Sequence, residues 1–298
     1  MKIGFGIPNN QGLNDPNDLV TLAVAAENLG FDSVWVREHL FHSSYVAKRL
    51  GNRPYHDALT ILTATACATK RVRLGTSVLV LPWHDPARLG KMIATLDQLS
   101  YGRVDLGIGV AITKDEFNNL GVDFASRGKR TDEILSALQS LWTDEIPEFS
   151  GSFYQFSGLK FSPKPYQNPY PPILIGGASM AARQRVARFG DGLHTLGQTP
   201  RQFAKGRADI IERTESAGRN ASALRFSITM PIRFTDTSPS AQLMDRTALT
   251  GTHGDIAETI NAYKTVGLDE IVLGVSDAQM NLHIETMERF MKDIAPNL

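Results

Sequence analysis

Two residues with proton-transferring side chains, Glu38 and His39, lie one residue beyond a predicted strand at residues 33–36. A histidine at the end of a strand can exchange protons near neutral pH or donate a hydrogen bond to a ligand. The alternative is a structural histidine with satisfied hydrogen bonds. Glu38 could orient this loop or accept a hydrogen bond from His39, unless it is an ordinary surface carboxylate. We interpret His39 and Glu38 as the candidate catalytic residues.

A second candidate site lies where another predicted strand, residues 173–175, turns into a helix through Gly176-Gly177-Ala178-Ser179. Glycines allow the backbone to approach a ligand closely, and free amides at the beginning of a helix favour a phosphate group. The pattern predicts a phosphate-binding turn, although a plain turn between strand and helix is the alternative. The usual phosphate site of barrel enzymes follows strands seven and eight, so this one is offset.

Two other predicted strands end in small residues: Ser77 and Val78 end one, and Gly107 and Gly109 end the next. Residues that follow parallel strands share one edge of a barrel. We therefore expect all four to line the same ligand site. The two glycines are not a dinucleotide-binding fingerprint, because Ile112 stands where the third glycine is required.

Other catalytic patterns are absent or incomplete. His39 and His42 could face one metal ion, but no convergent set of ligands supports them, so no metal site is predicted. The segment Gly177-Ala178-Ser179-Met180-Ala181 lacks the final glycine of a nucleophile elbow, which disfavours a hydrolase. Cys67 is the only cysteine and is expected to be a small core residue.

The composition indicates a soluble enzyme-sized chain. Of 298 residues 42% are hydrophobic, which suffices for a large core, and the formal net charge is zero. A balanced charge gives no electrostatic basis for binding nucleic acid or a membrane surface. No apolar run reaches the roughly 18 residues of a membrane span, and no signal peptide is apparent. A single cysteine fits a cytoplasmic location.

Strand and helix patterns alternate along the chain. The predicted strands are residues 2–7, 33–36, 72–78, 103–109, 173–175, 191–196, 224–232 and 270–273. Eight strands, each followed by a helix, predict a closed (β/α)8 barrel, with a doubly wound open sheet as the alternative. We expect one domain over residues 1–298, with insertions near residues 147–171 and 235–253. The first insertion could contain a hairpin at residues 153–161, and the second is expected to be a polar loop.

Several of these segments resemble the luciferase-like monooxygenase superfamily, and within it the oxidoreductases that depend on the deazaflavin coenzyme F420. The similarity covers nearly the whole chain. The segments that carry it are GFDSVWVREH at residues 30–39, RVRLGTSVLVLP at 71–82, ATLDQLSYGR at 94–103, RGKRTDE at 127–133, Gly176-Gly177 and Gly190-Asp191-Gly192. Flavin mononucleotide (FMN) enzymes of the superfamily share many of these segments.

The resemblance implies a (β/α)8 barrel that holds a tricyclic cofactor ring in its mouth. It implies a cis peptide bond at Ser77-Val78 against the ring and a cofactor phosphate near residues 176–179. His39 matches a position where the deazaflavin enzymes often have a functional histidine. A homodimer is also implied. The substrate, a small organic molecule, would lie beneath Tyr45 and residues 147–171.

Departures from the family pattern limit what can be transferred. Glu38 replaces an aspartate that is common before the histidine, and Ala111 replaces a glycine. Val110 occupies the position at which some sugar-phosphate dehydrogenases of the group carry a catalytic acid. Two enzyme functions remain: hydride transfer with F420, or oxygen insertion with reduced FMN and a separate flavin reductase. A binding protein that holds flavin without turnover is the non-enzymatic alternative.

Overall fold

The backbone forms a closed barrel of parallel strands, in a computed structural model that describes all residues from 1 to 298. Twelve strands follow along the chain: β1 (Lys2–Gly6), β2 (Ser33–Val36), β3 (Arg73–Thr76), β4 (Leu79–Val80), β5 (Val104–Gly109), β6 (Phe149–Ser150), β7 (Gln155–Phe156), β8 (Ile173–Gly176), β9 (Gly192–Leu196), β10 (Arg225–Phe234), β11 (Leu249–Gly251) and β12 (Glu270–Gly274). The barrel order is β1, β2, β3, β5, β8, β9, β10 and β12, and β12 pairs with β1. This closure confirms the predicted barrel and excludes the open sheet.

Ten α-helices accompany the strands: α1 (Pro16–Leu29), α2 (Ser44–Leu50), α3 (Ala58–Ala68), α4 (Pro86–Leu99), α5 (Lys114–Asn119), α6 (Arg127–Thr143), α7 (Met180–Phe189), α8 (Pro200–Ser216), α9 (His253–Thr265) and α10 (Met280–Asp293). None of them combines the length and the apolar character that a membrane-spanning helix needs. Capping chemistry explains where several begin. Asp15 accepts a hydrogen bond from the amide of Asn17, and Asp85 accepts one from that of Arg88. A proline at the first helical position follows each cap, as the sequence predicted.

The barrel strands are buried on both faces, as is typical of parallel sheets covered by helices. The amino-terminal end of the barrel is closed by an ionic cluster. Asp105, which is fully buried, bonds the guanidinium groups of Arg73 and Arg225 at 2.6 Å each. Burial alone would raise the pKa of Asp105, but the two arginines hold it below its ordinary value. Since this end is filled, a ligand site is left at the opposite, carboxyl-terminal end.

One side chain and two insertions differ from the prediction. Cys67, expected in the core, is exposed on α3. The hairpin predicted at residues 153–161 is wrong: β6 and β7 form it at residues 149–156, because the chain turns at Gly151, whose amide bonds the carbonyl of Tyr154 at 2.9 Å. The polar loop predicted for residues 235–253 is partly wrong. β11 lies within it and extends the sheet beside β10, and α9 begins at His253.

Candidate active site

The carboxyl ends of neighbouring strands bring the predicted residues to one edge of the barrel. β2, β3, β5, β8 and β9 are consecutive in the sheet, and parallel strands end at the same edge. The residues found there are His39, Ser77, Val78, Gly107, Gly109 and Gly176, and His194 is buried in the middle of β9, where it bonds Ser77. We call this edge the mouth.

A bulge at Ser77 and Val78 interrupts the third barrel strand, and the peptide bond between them is cis, as the family resemblance predicted. β3 ends at Thr76, and β4 resumes the pairing with β5. The amide of Ser77 donates to the carbonyl of Val36 at 2.6 Å, and its hydroxyl lies 2.8 Å from Nε2 of His194. The bulge is therefore fixed both to the adjacent strand and across the barrel.

Three glycines make room for this bulge. A Cβ atom on Gly107 would lie 1.9 Å from the carbonyl oxygen of Thr76. A Cβ on Gly109 would lie 2.6 Å from Cγ2 of Val78, and one on Gly176 would lie 3.0 Å from Cγ1 of the same side chain. These contacts explain why the glycines are required. Direct contact of Gly107 and Gly109 with a cofactor stays a prediction.

His39 is oriented by Glu116, a carboxylate that the sequence analysis did not single out. Nδ1 of His39 lies 2.7 Å from Oε2 of Glu116. An ionised carboxylate can only accept, so Nδ1 carries the proton and Nε2 is the basic nitrogen of the neutral ring. Nε2 makes no hydrogen bond within the chain, and the side chain is 21% exposed. His39 therefore presents a free proton acceptor at the mouth.

Glu116 stays ionised because several donors surround it. Burial raises its pKa, but hydrogen bonds from His39, Thr113 and the amide of Phe41 hold the pKa below its ordinary value. Val110 stands where some relatives carry a catalytic acid after this strand, whereas the carboxylate of Glu116 comes six residues later. The spacing Thr113-x-x-Glu116 is a helix-start pattern that could have drawn attention to α5.

Glu38 does not contact His39. One oxygen of its buried carboxylate accepts from the amide of Val80 at 2.6 Å, and the other lies 2.9 Å from Nε2 of His84. This is the geometry of a residue that orients the loops on either side of the bulge. Burial lowers the pKa of His84, but the bond to Glu38 raises it above its ordinary value overall. A catalytic part for Glu38 itself stays a prediction.

The turn before α7 exposes free backbone amides. Gly177, Ala178 and Ser179 are exposed, and their amides donate to no group of the chain. Gly177 has φ +100°, a conformation that other residues rarely adopt, and Ser179 caps α7 by accepting from the amide of Ala182 at 3.2 Å. The geometry suits an anion at the helix start.

Aromatic rings surround His39. Their centroids lie 6.0 Å away for Tyr45, 5.6 Å for Tyr55 and 6.1 Å for Trp83. The loops around the mouth also expose large apolar side chains, namely Leu40, Phe41, Ile112 and Leu196. Such a surface suits a flat, largely apolar ligand. No group of three or more His, Cys, Asp or Glu side chains is arranged to hold a metal ion.

His194 should make the stability of the protein sensitive to acid. Its ring is stacked on Trp35, and burial lowers its pKa to about 3, with a further contribution from Arg37. An unfolded histidine titrates near 6.5, so the unfolded state binds the proton first as the pH falls. The free energy of unfolding should therefore fall between about pH 6.5 and pH 3, by roughly 1.4 kcal/mol per pH unit from this residue.

Urea unfolding of the wild type and of His194→Asn at pH 6.5 and pH 5 measures this effect. We expect the wild type to lose about 2 kcal/mol more than the variant over that interval. Replacement of the exposed His42 by Asn is the matched control for the same change of side chain at a solvent-exposed position. Equal pH dependence in the wild type and His194→Asn would show that His194 is not the buried, neutral base described above.

Comparison with known proteins finds relatives that depend on reduced FMN and relatives that depend on F420. The model of the luciferase-like monooxygenase family matches residues 1–243. An FMNH2-dependent dimethylsulfone monooxygenase of Pseudomonas putida is 31% identical over 74% of this chain and 59% of its own length. An F420-dependent glucose-6-phosphate dehydrogenase of Amycolatopsis mediterranei is 35% identical over 64% of this chain and 56% of its own length. The matched region is thus a little over half the length of these relatives.

A solved structure agrees over a longer range. The crystal structure of a monooxygenase from Streptomyces bottropensis superposes with a TM-score of 0.85, at 24% sequence identity, and covers 99% of both chains. At this level of identity the likeness concerns the fold.

Proposed function

The chain belongs to the luciferase-like monooxygenase family, and we propose that it is an oxidoreductase that uses coenzyme F420 for hydride transfer to or from a small organic substrate. The observation that carries this proposal is His39, which Glu116 holds with Nε2 free at the mouth. When the substrate is an alcohol or a carbonyl compound, hydride transfer at its carbon is coupled to the loss or gain of a proton on the neighbouring oxygen. A positioned histidine is the commonest group for that task.

The mouth fits a tricyclic cofactor that carries a phosphate. The bulge at Ser77 and Val78 offers a backbone surface to a flat ring, and the free amides of residues 177–179 offer donors to a phosphate. When bound, a deazaflavin supplies hydride transfer, and a reduced flavin supplies the activation of oxygen. His39 supplies a proton acceptor, which the cofactor lacks, and Glu116 fixes the tautomer of its ring.

In this proposal each residue of the mouth has a separate role. Glu116 holds the proton on Nδ1 of His39, so that Nε2 accepts the hydroxyl proton when an alcohol is oxidised and returns it to the carbonyl oxygen in reverse. Glu38 and His84 keep the loops beside the bulge in place. The exposed apolar residues around the mouth exclude water from the substrate.

An FMN-dependent monooxygenase is the second candidate. The relative that favours it is the dimethylsulfone monooxygenase, which matches a larger share of this chain than the F420-dependent relative does. In that case the protein would need reduced FMN from a separate flavin reductase. For either function we propose one barrel domain, which assembles as a homodimer and acts in the cytoplasm on a small organic molecule.

Titration of the purified protein with oxidised F420 and, separately, with FMN decides between the two. Fluorescence quenching should show that F420 binds at micromolar concentration or below and at least tenfold more tightly than FMN. Tighter binding of FMN, oxidised or reduced, would favour the monooxygenase. If neither cofactor binds at micromolar concentration, the proposed function is wrong.

The phosphate turn gives a prediction of its own. Gly177→Ala should weaken cofactor binding about tenfold or more, because the added methyl disfavours φ +100° and shifts the amides that face the phosphate. Gly218→Ala is the matched control, since Gly218 also has positive φ and open space around it but lies beyond the far end of α8. Both variants should lose a similar amount of stability. Equal cofactor affinity in the two variants would show that the cofactor phosphate does not bind at residues 177–179.

A further inference from the structure

Arg37 brings a positive charge into the mouth without a partner for its guanidinium group. Its backbone is fixed by the buried Asn9, whose side-chain amide accepts from the Arg37 amide at 3.0 Å and donates to the Arg37 carbonyl at 2.7 Å. The guanidinium itself makes no hydrogen bond or ion pair within the chain. By contrast, the arginines at the opposite end of the barrel are bonded to Asp105.

The side chain of Arg37 reaches over the end of β1. Arg37 follows β2, yet its Nη2 lies 3.6 Å from the position that a Cβ atom on Gly274 would occupy, at the end of β12. β1 lies between these two strands in the barrel. The guanidinium therefore lies inside the mouth.

Other unsatisfied donors accompany it. The hydroxyl of Tyr55 is buried without a hydrogen-bond partner, and so is Nε of Arg49. The guanidinium of Arg49 donates from Nη2 to the carbonyl of Asn10 at 2.9 Å and lies 5.5 Å from the centroid of the Tyr45 ring, which is 6.0 Å from the ring of His39. The ring of Tyr55 is 5.6 Å from that of His39. Arg49 and Tyr55 thus lie around His39, which follows Arg37 by two residues in the chain.

The carboxylates of the mouth do not neutralise this charge. Glu38 is bonded to Val80 and His84, and Glu116 to His39 and the loop amides. A cation that is removed from water without a partner is costly, so such groups are normally paired. The nitrogens of the Arg37 guanidinium are not among the fully buried unpaired atoms, so they remain accessible to a partner from outside the chain.

We propose that Arg37, Arg49 and the Tyr55 hydroxyl bind an oxyanion of the substrate, which is therefore an organic acid with a carboxylate or sulfonate group. The planar guanidinium matches both groups by paired hydrogen bonds. The inference rests on the proposed function, because it places the anion next to the histidine that handles the substrate proton. Arg37, Arg49 and Tyr55 hold the oxyanion at one end of the substrate, and His39 acts on the other end.

Equilibrium titration with acetate and with methanesulfonate, followed by intrinsic tryptophan fluorescence, tests the subsite. We expect saturable binding to the protein both without and with bound F420, and about 10- to 100-fold weaker binding in Arg37→Met. Arg201→Met, which removes an exposed arginine, should bind both anions as the wild type does. Because the cofactor-free protein is also titrated, anion binding can be measured even if the protein does not bind F420.

Thermal unfolding supplies a second readout. Arg37→Met removes an unpaired, partly buried cation and should therefore have a higher melting temperature than the wild type. If Arg37 instead stabilised the fold, the variant would have a lower melting temperature. Equal anion binding in the wild type and Arg37→Met would overturn the proposal. The proposal would also be overturned if bound F420 abolished anion binding and Arg37→Met bound F420 more weakly. Arg37 would then bind the cofactor and not the substrate.

Discussion

Replacement of His39 by Gln is expected to lower kcat about 100- to 10,000-fold while changing cofactor affinity by less than a few fold. Glutamine keeps the size and the hydrogen-bonding capacity of the side chain but cannot accept a proton at neutral pH. The proton that accompanies hydride transfer would have no acceptor in the variant. Binding of the cofactor should survive, because it depends on the bulge and on the turn before α7.

The measurement is turnover of the F420-loaded protein on a panel of small alcohols and carbonyl compounds. Glu116→Gln should lie between the wild type and His39→Gln, since it leaves Nε2 in place but no longer fixes the proton on Nδ1. His42→Gln is the matched control, an exposed histidine three residues along the same loop. An unchanged kcat in His39→Gln would remove His39 from the mechanism.

Gly107→Ala should destabilise the protein by about 3 kcal/mol or more. The new Cβ would lie 1.9 Å from the carbonyl oxygen of Thr76, a backbone atom that cannot move without displacing the bulge. The hydroxyl of Thr76 also bonds the carbonyl of Gly107 at 2.6 Å, so both strands would have to shift together. Cofactor binding should be lost with the bulge.

Gly206→Ala is the comparison that isolates this contact. Gly206 lies within α8, and a Cβ there would meet nothing within 4 Å. Alanine should stabilise that helix by roughly 0.5–1 kcal/mol. Urea unfolding of the two variants measures both effects. If the two variants were similarly stable, the backbone of the bulge would be able to accommodate the added methyl group, contrary to what its contacts indicate.

The fold was predictable from the sequence because its signals are local. Asp-Pro pairs begin helices α1 and α4, and short apolar runs mark the buried strands. The short strand β11 escaped prediction because three residues are too few to show a pattern. The hairpin was misplaced because its turn lies at residues 151–154, which pairs Phe149 with Phe156.

The site was predictable only in part, because it depends on contacts between distant residues. His39 and Glu116 are 77 residues apart, and nothing in the sequence shows that α5 returns to the loop after β2. The sequence placed Glu38 beside His39 in the chain, but adjacent residues at the end of a strand point to opposite sides. Glu38 therefore bonds His84 instead. The unpaired Arg37 likewise becomes visible only when its surroundings are known.

The central claim is that the mouth beside His39 holds the redox cofactor. A crystal structure of the protein with oxidised F420 tests it most directly, through the position of the ring and of the phosphate. We expect the ring against Ser77-Val78 and near Nε2 of His39, with the phosphate on the amides of residues 177–179. A ring bound anywhere else on the protein, or a phosphate away from α7, would contradict the account.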